Sequence, residues 1–207
     1  MNGFEKQELE AQGMMSRLFG SKPGHNALVE INNFLAESTA ATELTEEIVS
    51  NFIKNWGAKF DSSNIEYRSS MYRKVADYVY INAVSKDDPV FEEARHLAQV
   101  LELPEKLQRL ADNGAKKVAY FSRCRKIISG EEPLTISEIN TVFGYDYEDG
   151  YDIRVQVFHD YLNKKFNEIA EQQRFSPDEE TALREICTKL DIPYEFKPNI
   201  QNALDKY

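Results

Sequence analysis

Chemistry in this 207-residue chain would have to come from three histidines, two cysteines or one dense acidic loop. The pair His159-Asp160, within "FHDYLNKK", has the residue types with which a metal-dependent hydrolase binds a divalent ion. Such a site also needs an earlier histidine and a later aspartate converging on the same ion. His96 lies far upstream, His25 farther still, and the neighbourhood offers no other ligand. The pair therefore reads as a semi-exposed stretch of an ordinary helix. Cys124 and Cys187 are too few for a disulfide framework and read as small buried thiols. Nucleophile elbows, phosphate-cradling glycine loops and CxxC pairs are missing. Neither catalysis nor a cofactor is expected.

The acidic loop "GYDYEDGYDIR", 144–154, is the next candidate. A calcium loop of the EF-hand kind needs oxygen ligands at positions 1, 3 and 5, glycine at 6 and glutamate at 12. With Gly150 at position 6, those ligand slots hold Tyr145, Tyr147, Asp149 and Gln156, of which only Asp149 fits. The loop is expected to be a turn between two helices, its tyrosines covering helix ends. Asp146, Glu148, Asp149 and Asp152 stand as the alternative, an irregular divalent-cation site.

Charge is distributed unevenly around a net of -10. Residues 111–130 hold five bases and one acid, whereas both flanking segments are acidic. Long-range attraction to nucleic acid is thereby excluded for the chain as a whole, because phosphate contact drives such binding. A polyanion or an acidic partner would meet only the island "AKKVAYFSRCRKII", through Lys116, Lys117, Arg123, Arg125 and Lys126 with Tyr120 and Phe121 interleaved. The competing reading has these cations neutralising nearby acids while the aromatics join the core.

The elements that would position such groups are helical throughout. Ile48, Val49, Phe52, Ile53 and Trp56 form one stripe; Met71, Val75, Tyr78 and Val79 a second; Val90, Ala94, Leu97, Ala98 and Leu101 a third. Val118, Phe121, Cys124 and Ile128 form a fourth, which ends at Gly130 as helices often do. The pattern then restarts. Leu44-Thr45 is answered by Leu134-Thr135, Tyr72 by Tyr161, and Leu101-Glu102-Leu103-Pro104 by Leu190-Asp191-Ile192-Pro193. The expectation is an all-α fold of about ten helices, two related four-helix units from an internal duplication after a helical N-terminal segment. The boundaries expected are 1–40, 41–130 and 131–207. Asp88 with Pro89, and Ser176 with Pro177 and Glu179, read as helix caps. A helix near 4–19, with Met14, Met15, Leu18 and Phe19 on one side, would either pack back on the repeats or dock on a partner.

"EARHLAQVLELP" and "ETALREICTKLDIP", each an acid-capped helix leading by a proline turn into another helix, resemble TerB-like domains of the tellurite-resistance type. The resemblance covers mainly 87–118 and 176–207. It implies a compact helical bundle and, in that family, acidic loops linked with divalent cations. No metal ligand carries over, because this chain lacks the aspartate-glycine acidic signature before the corresponding helix.

The last expected helix, in "NIQNALDKY", is shorter than its counterpart after Pro104, which leads to the expectation of a fragment or of a partner against Tyr207. No signal peptide and no apolar run of membrane-spanning length is apparent. The sequence thus points to a non-catalytic interaction or scaffold module of a cytoplasmic protein, joined to a protein partner or further domain. A divalent-cation-responsive domain and a nucleic-acid or phosphate binder acting through 114–129 are the alternatives.

Overall fold

The structure is a computed structural model that describes residues 3–10, 23–172 and 176–195. Among these there are eight α-helices and no strand: α1 (Pro23–Glu37), α2 (Glu46–Trp56), α3 (Ile65–Asn82), α4 (Phe91–Val100), α5 (Glu105–Ser129), α6 (Ile136–Phe143), α7 (Tyr151–Gln172) and α8 (Pro177–Lys189). The all-α class is as expected. No described helix is long and apolar enough to cross a membrane. The helix expected over 4–19 is not formed at 4–10, which lies outside any regular element. Met14, Met15, Leu18 and Phe19 fall outside the described residues, as do 196–207 and the expected short last helix.

The chain divides into two compact units, Met1–Ala83 with Asp87–Lys116, and Val84–Lys86 with Lys117–Tyr207. The division falls inside α5 rather than at Gly130, and residues expected to form a separate N-terminal segment belong to the first unit. Leu28, Ile31 and Leu35 of α1 share its core with Val49, Met71, Val75, Val79, Leu97 and Leu101, and Phe4 joins them.

In this unit Thr45 caps α2, its side chain accepting from the Ile48 amide, and Gly57 ends the helix at φ 59°. The following loop closes on itself: Asn64 accepts from the Asp61 amide at 3.2 Å, and Asp61 from the Ser63 amide at 2.8 Å. Arg68, the fourth residue of α3, is buried and donates to the carbonyls of Asp61 (3.0 Å), Leu101 (2.7 Å) and Glu102 (3.1 Å). It thus ties the loop to the carboxyl end of α4. Asp88 accepts from the Val90 amide, but α4 begins at Phe91, so Asp88-Pro89 opens a turn ahead of the helix rather than its first turn.

In the second unit Tyr120, Cys124, Ile139, Phe143, Phe158, Leu183, Cys187 and Leu190 are buried. Thr135 caps α6 in a reciprocal box with Glu138, and Gly144 ends it at φ 65°. Ser176, Pro177 and Glu179 cap α8 as expected. The face of α5 differs from the expected stripe. Val118 is 53% exposed, while Ala119, Tyr120, Arg123, Cys124 and Ile127 point inward. An apolar-period reading could not include Arg123, whose burial depends on a carboxylate beyond the helix end.

Helices α4 and α8 end alike. Glu102 and Asp191 are the described non-glycine residues with positive φ (47° and 52°). The Leu103 amide donates to the Ala98 carbonyl and the Ile192 amide to that of Cys187, each at 3.0 Å. Both ends carry the 6→1 bond of the Schellman type. Tyr72 is buried and donates to Asp112, whereas Tyr161 is only partly buried and lines an open cleft. The two tyrosines, expected to correspond, therefore differ in burial. Phe158, four residues after buried Arg154 as Tyr72 is four after Arg68, has the comparable buried place.

Candidate functional site

Helix α1 carries Asn26, Asn32 and Asn33 within fifteen residues, a high content of a weak helix former. Each holds main chain from the segment 3–10. Asn33 Oδ1 accepts from the Gln7 amide at 2.8 Å, and its Nδ2 donates to the Gln7 carbonyl at 2.9 Å. Asn26 repeats this with Glu10, at 2.9 and 3.0 Å. Asn32 Nδ2 donates to the Glu5 carbonyl at 2.7 Å.

The geometry follows from two repeats. Seven residues of helix rise about 10.5 Å, and three residues of extended chain span about 10 Å, so asparagines two turns apart meet residues three apart. A carboxamide offers one acceptor and two donors and so pairs with both the N–H and the C=O of a single extended residue, whatever its side chain.

Side chains add anchors. Phe4 is buried, with the Lys74 ammonium 4.9 Å from its ring centre. The Tyr67 hydroxyl donates to Gln7 Oε1, Lys6 pairs with Glu37, and Glu10 lies 3.7 Å from His25. The segment therefore runs antiparallel to α1, in a groove walled by α1 and α3. A cleft of about 410 Å³, lined by His25, Leu28, Asn64 and Tyr67 among others, opens at its Glu10 end.

Burying Phe4 gives about 3 kcal/mol, and five hydrogen bonds at about 1 each bring the total to about 8. Ordering eight backbone residues costs about 8 kcal/mol or more. The segment is held near balance.

The groups singled out in the sequence lie elsewhere. In the acidic loop, Asp146 Oδ1 accepts from the amides of Glu148 and Asp149, and Asp149 Oδ2 accepts from the Asp146 amide. Glu148 and Asp152 are exposed. Among the described residues no three acidic, histidine or cysteine side chains converge to hold a metal. Tyr145 packs on Tyr120 and Phe143, and the Tyr147 hydroxyl donates to the Asp191 carbonyl at the end of α8. Arg154, fully buried, donates to the Tyr147 carbonyl and to the Tyr120 hydroxyl.

The basic residues do not form one face. Arg123 is 3% exposed and makes two bonds to Glu132, at 3.1 and 2.8 Å, which removes it from any polyanion surface. Lys116 lies over the Tyr80 ring, and Lys117 is exposed. Arg125 lies over Phe121 and 3.6 Å from Asp160. Arg125, Lys126 and Lys164 line a cleft of about 530 Å³ that also contains Asp160 and Glu131, a mixed lining that offers a polyanion little net attraction.

His96 Nε2 bonds the Leu44 carbonyl at 2.8 Å, and His159 is exposed against Phe158. Burial pushes the Cys124 thiol up to about 12 and that of Cys187 to about 11, so neither is poised as a nucleophile.

Sequence reasoning missed the asparagine ladder. Its signal was Asn26 and Asn33 at i and i+7, with Asn32 beside them, in "HNALVEINNF". No family model, curated protein or solved structure matches the chain.

Proposed function

We propose that this chain is a non-catalytic protein-interaction module whose working surface is the groove between α1 and α3, which takes an extended polypeptide segment. The observation that carries the reading is the pair of reciprocal asparagine-to-main-chain clamps at Gln7 and Glu10. Such clamps grip any extended backbone and leave selectivity to a few pockets, as peptide-binding domains commonly do.

The second unit supplies scaffold on this reading, and we infer that it arose with much of the first by internal duplication. Supporting that inference are the threonine caps at 45 and 135, the left-handed glycines at 57 and 144, and the Glu102 and Asp191 helix ends. Arg68 and Arg154 add to it: each is fourth in its helix and bonds the carbonyl seven residues before it.

The test is fluorescence polarisation with eight-residue peptides carrying a leading phenylalanine, against wild type and an Asn26→Ala/Asn33→Ala variant. The chain's own segment acts at an effective concentration of about 1 mM, so the titration extends to a few millimolar. Binding that the double substitution weakens at least 10-fold is expected. Binding indifferent to both asparagines, or none, would remove the groove as the interaction surface.

A further inference from the structure

Resting on the reading above, we propose that residues 3–10 are a built-in competitor, which vacates the groove for an extended segment of a partner protein led by an aromatic residue and carrying an acid toward its far end. The occupant's chemistry is read from what the groove now holds. An aromatic ring enters the core at the place of Phe4, beside the Lys74 ammonium. Two main-chain positions three apart meet Asn33 and Asn26. An acid at the far end faces His25, as Glu10 does at 3.7 Å.

Two features mark the resident segment as replaceable. Its hold is near balance, and most of that hold is to main chain, which a partner reproduces residue for residue. It also fits imperfectly. Asn32 is 1% exposed, and its Nδ2 holds the Glu5 carbonyl, yet its Oδ1 has no hydrogen-bond partner. Asn26 and Asn33 use both ends of their carboxamides, and Asn32 uses only one. A segment that brings an amide onto Asn32 Oδ1 completes a third clamp, and relieving a buried unsatisfied acceptor is worth roughly a factor of 10 in affinity.

Competition makes a definite prediction for the intact chain. A partner segment meets only the fraction of molecules whose groove is open, so weakening the resident segment raises apparent affinity without touching the groove. Gln7→Pro with Glu10→Pro does this, because proline removes the two amides that Asn33 and Asn26 accept while leaving Phe4 in place.

The experiment titrates a labelled peptide of sequence GFEKQELE, identical to residues 3–10, into full-length wild type and full-length Gln7→Pro/Glu10→Pro. About twofold tighter binding to the proline variant is expected, the most that freeing a groove occupied in about half of the molecules can give, and binding is lost when Asn26→Ala and Asn33→Ala are added. Hydrogen exchange on wild type gives a readout independent of the variant's folding. Saturating peptide is expected to speed exchange at the chain's own Gln7 and Glu10 amides while α3 stays protected. Equal, asparagine-dependent affinity for both proteins, with no change at those amides, would overturn the competitor and leave the groove standing. No asparagine-dependent binding to either protein would overturn both. A wild-type dimer that the peptide dissociates would assign the groove to a second copy of this chain and overturn the proposed partner.

Discussion

Asn33 and Asn26 each supply two hydrogen bonds to the segment they hold, and bonds of this kind contribute about 1 kcal/mol apiece. Asn33→Ala is therefore expected to cost at most about 2 kcal/mol of global stability. Its local effect is larger, since a segment near balance is released. Amide exchange at Gln7 and Glu10 should rise toward the rate of an unstructured peptide while α3 is unaffected, and two-dimensional NMR would read both. Unchanged protection at Gln7 would mean that Phe4 alone anchors the segment. The thiols give a second residue-scale outcome. With Cys124 raised to about 12 and Cys187 to about 11 by burial, the thiolate fractions at pH 8 are of order 10⁻⁴ and 10⁻³. Mass spectrometry after iodoacetamide should find no label on the native chain and two labels in denaturant. The sign for stability follows: both folded values lie above the unfolded ones, so this contribution is full below the unfolded value near 8.5 and is lost as pH rises toward the folded values.

At the scale of elements, the loop into α7 is shaped by a steric fit rather than by a ligand. A Cβ added at Gly150 would lie 2.5 Å from the Tyr120 ring carbon Cζ. Tyr120 cannot yield, because it is fully buried and its hydroxyl bonds both Asn140 and Arg154. Gly150→Ala is expected to cost about 2–3 kcal/mol, as overpacking does. Gly144→Ala, with φ 65° and open space around its Cβ, should cost only about 1 kcal/mol. Urea denaturation of the two variants tests the order, and the reverse ranking would show that Tyr120 can move. This loop was readable in part from sequence. The failed calcium-loop register and the neighbouring caps pointed to a turn, and the Asp146 and Asp149 side chains indeed bond loop amides. What could not be read was Tyr120 filling the space at Gly150, since contact between residues 30 apart in sequence leaves no periodic trace.

For the whole molecule, two buried arginines organise separate units. Arg68 holds the loop before α3 and the end of α4, and Arg154 holds the loop before α7 and the Tyr120 hydroxyl. They share no partner, so the costs of Arg68→Ala and Arg154→Ala are expected to add within about 0.5 kcal/mol. Each should cost about 3 kcal/mol, because several buried carbonyl or hydroxyl groups lose their donor. Chemical denaturation of the two single variants and the double variant closes the cycle. Strong non-additivity would mean that the units report on one another's folding.

The sequence by itself determined what depends on near neighbours along the chain. Helical periodicity, threonine and serine caps, glycine stops and the leucine-acid-proline helix ends act over a turn or two, and α2, α3, α4, α6 and α8 were legible from them within a few residues. Tertiary structure decided whatever required a distant partner. Arg123 lies inside because Glu132 meets it beyond the turn at Gly130. Residues 4–10 leave the helical state expected of them because Asn26, Asn32 and Asn33 bind their main chain and the core takes Phe4. Main-chain recognition carries no side-chain signature in the segment recognised. The groove therefore became visible only when α1 and residues 3–10 were seen together.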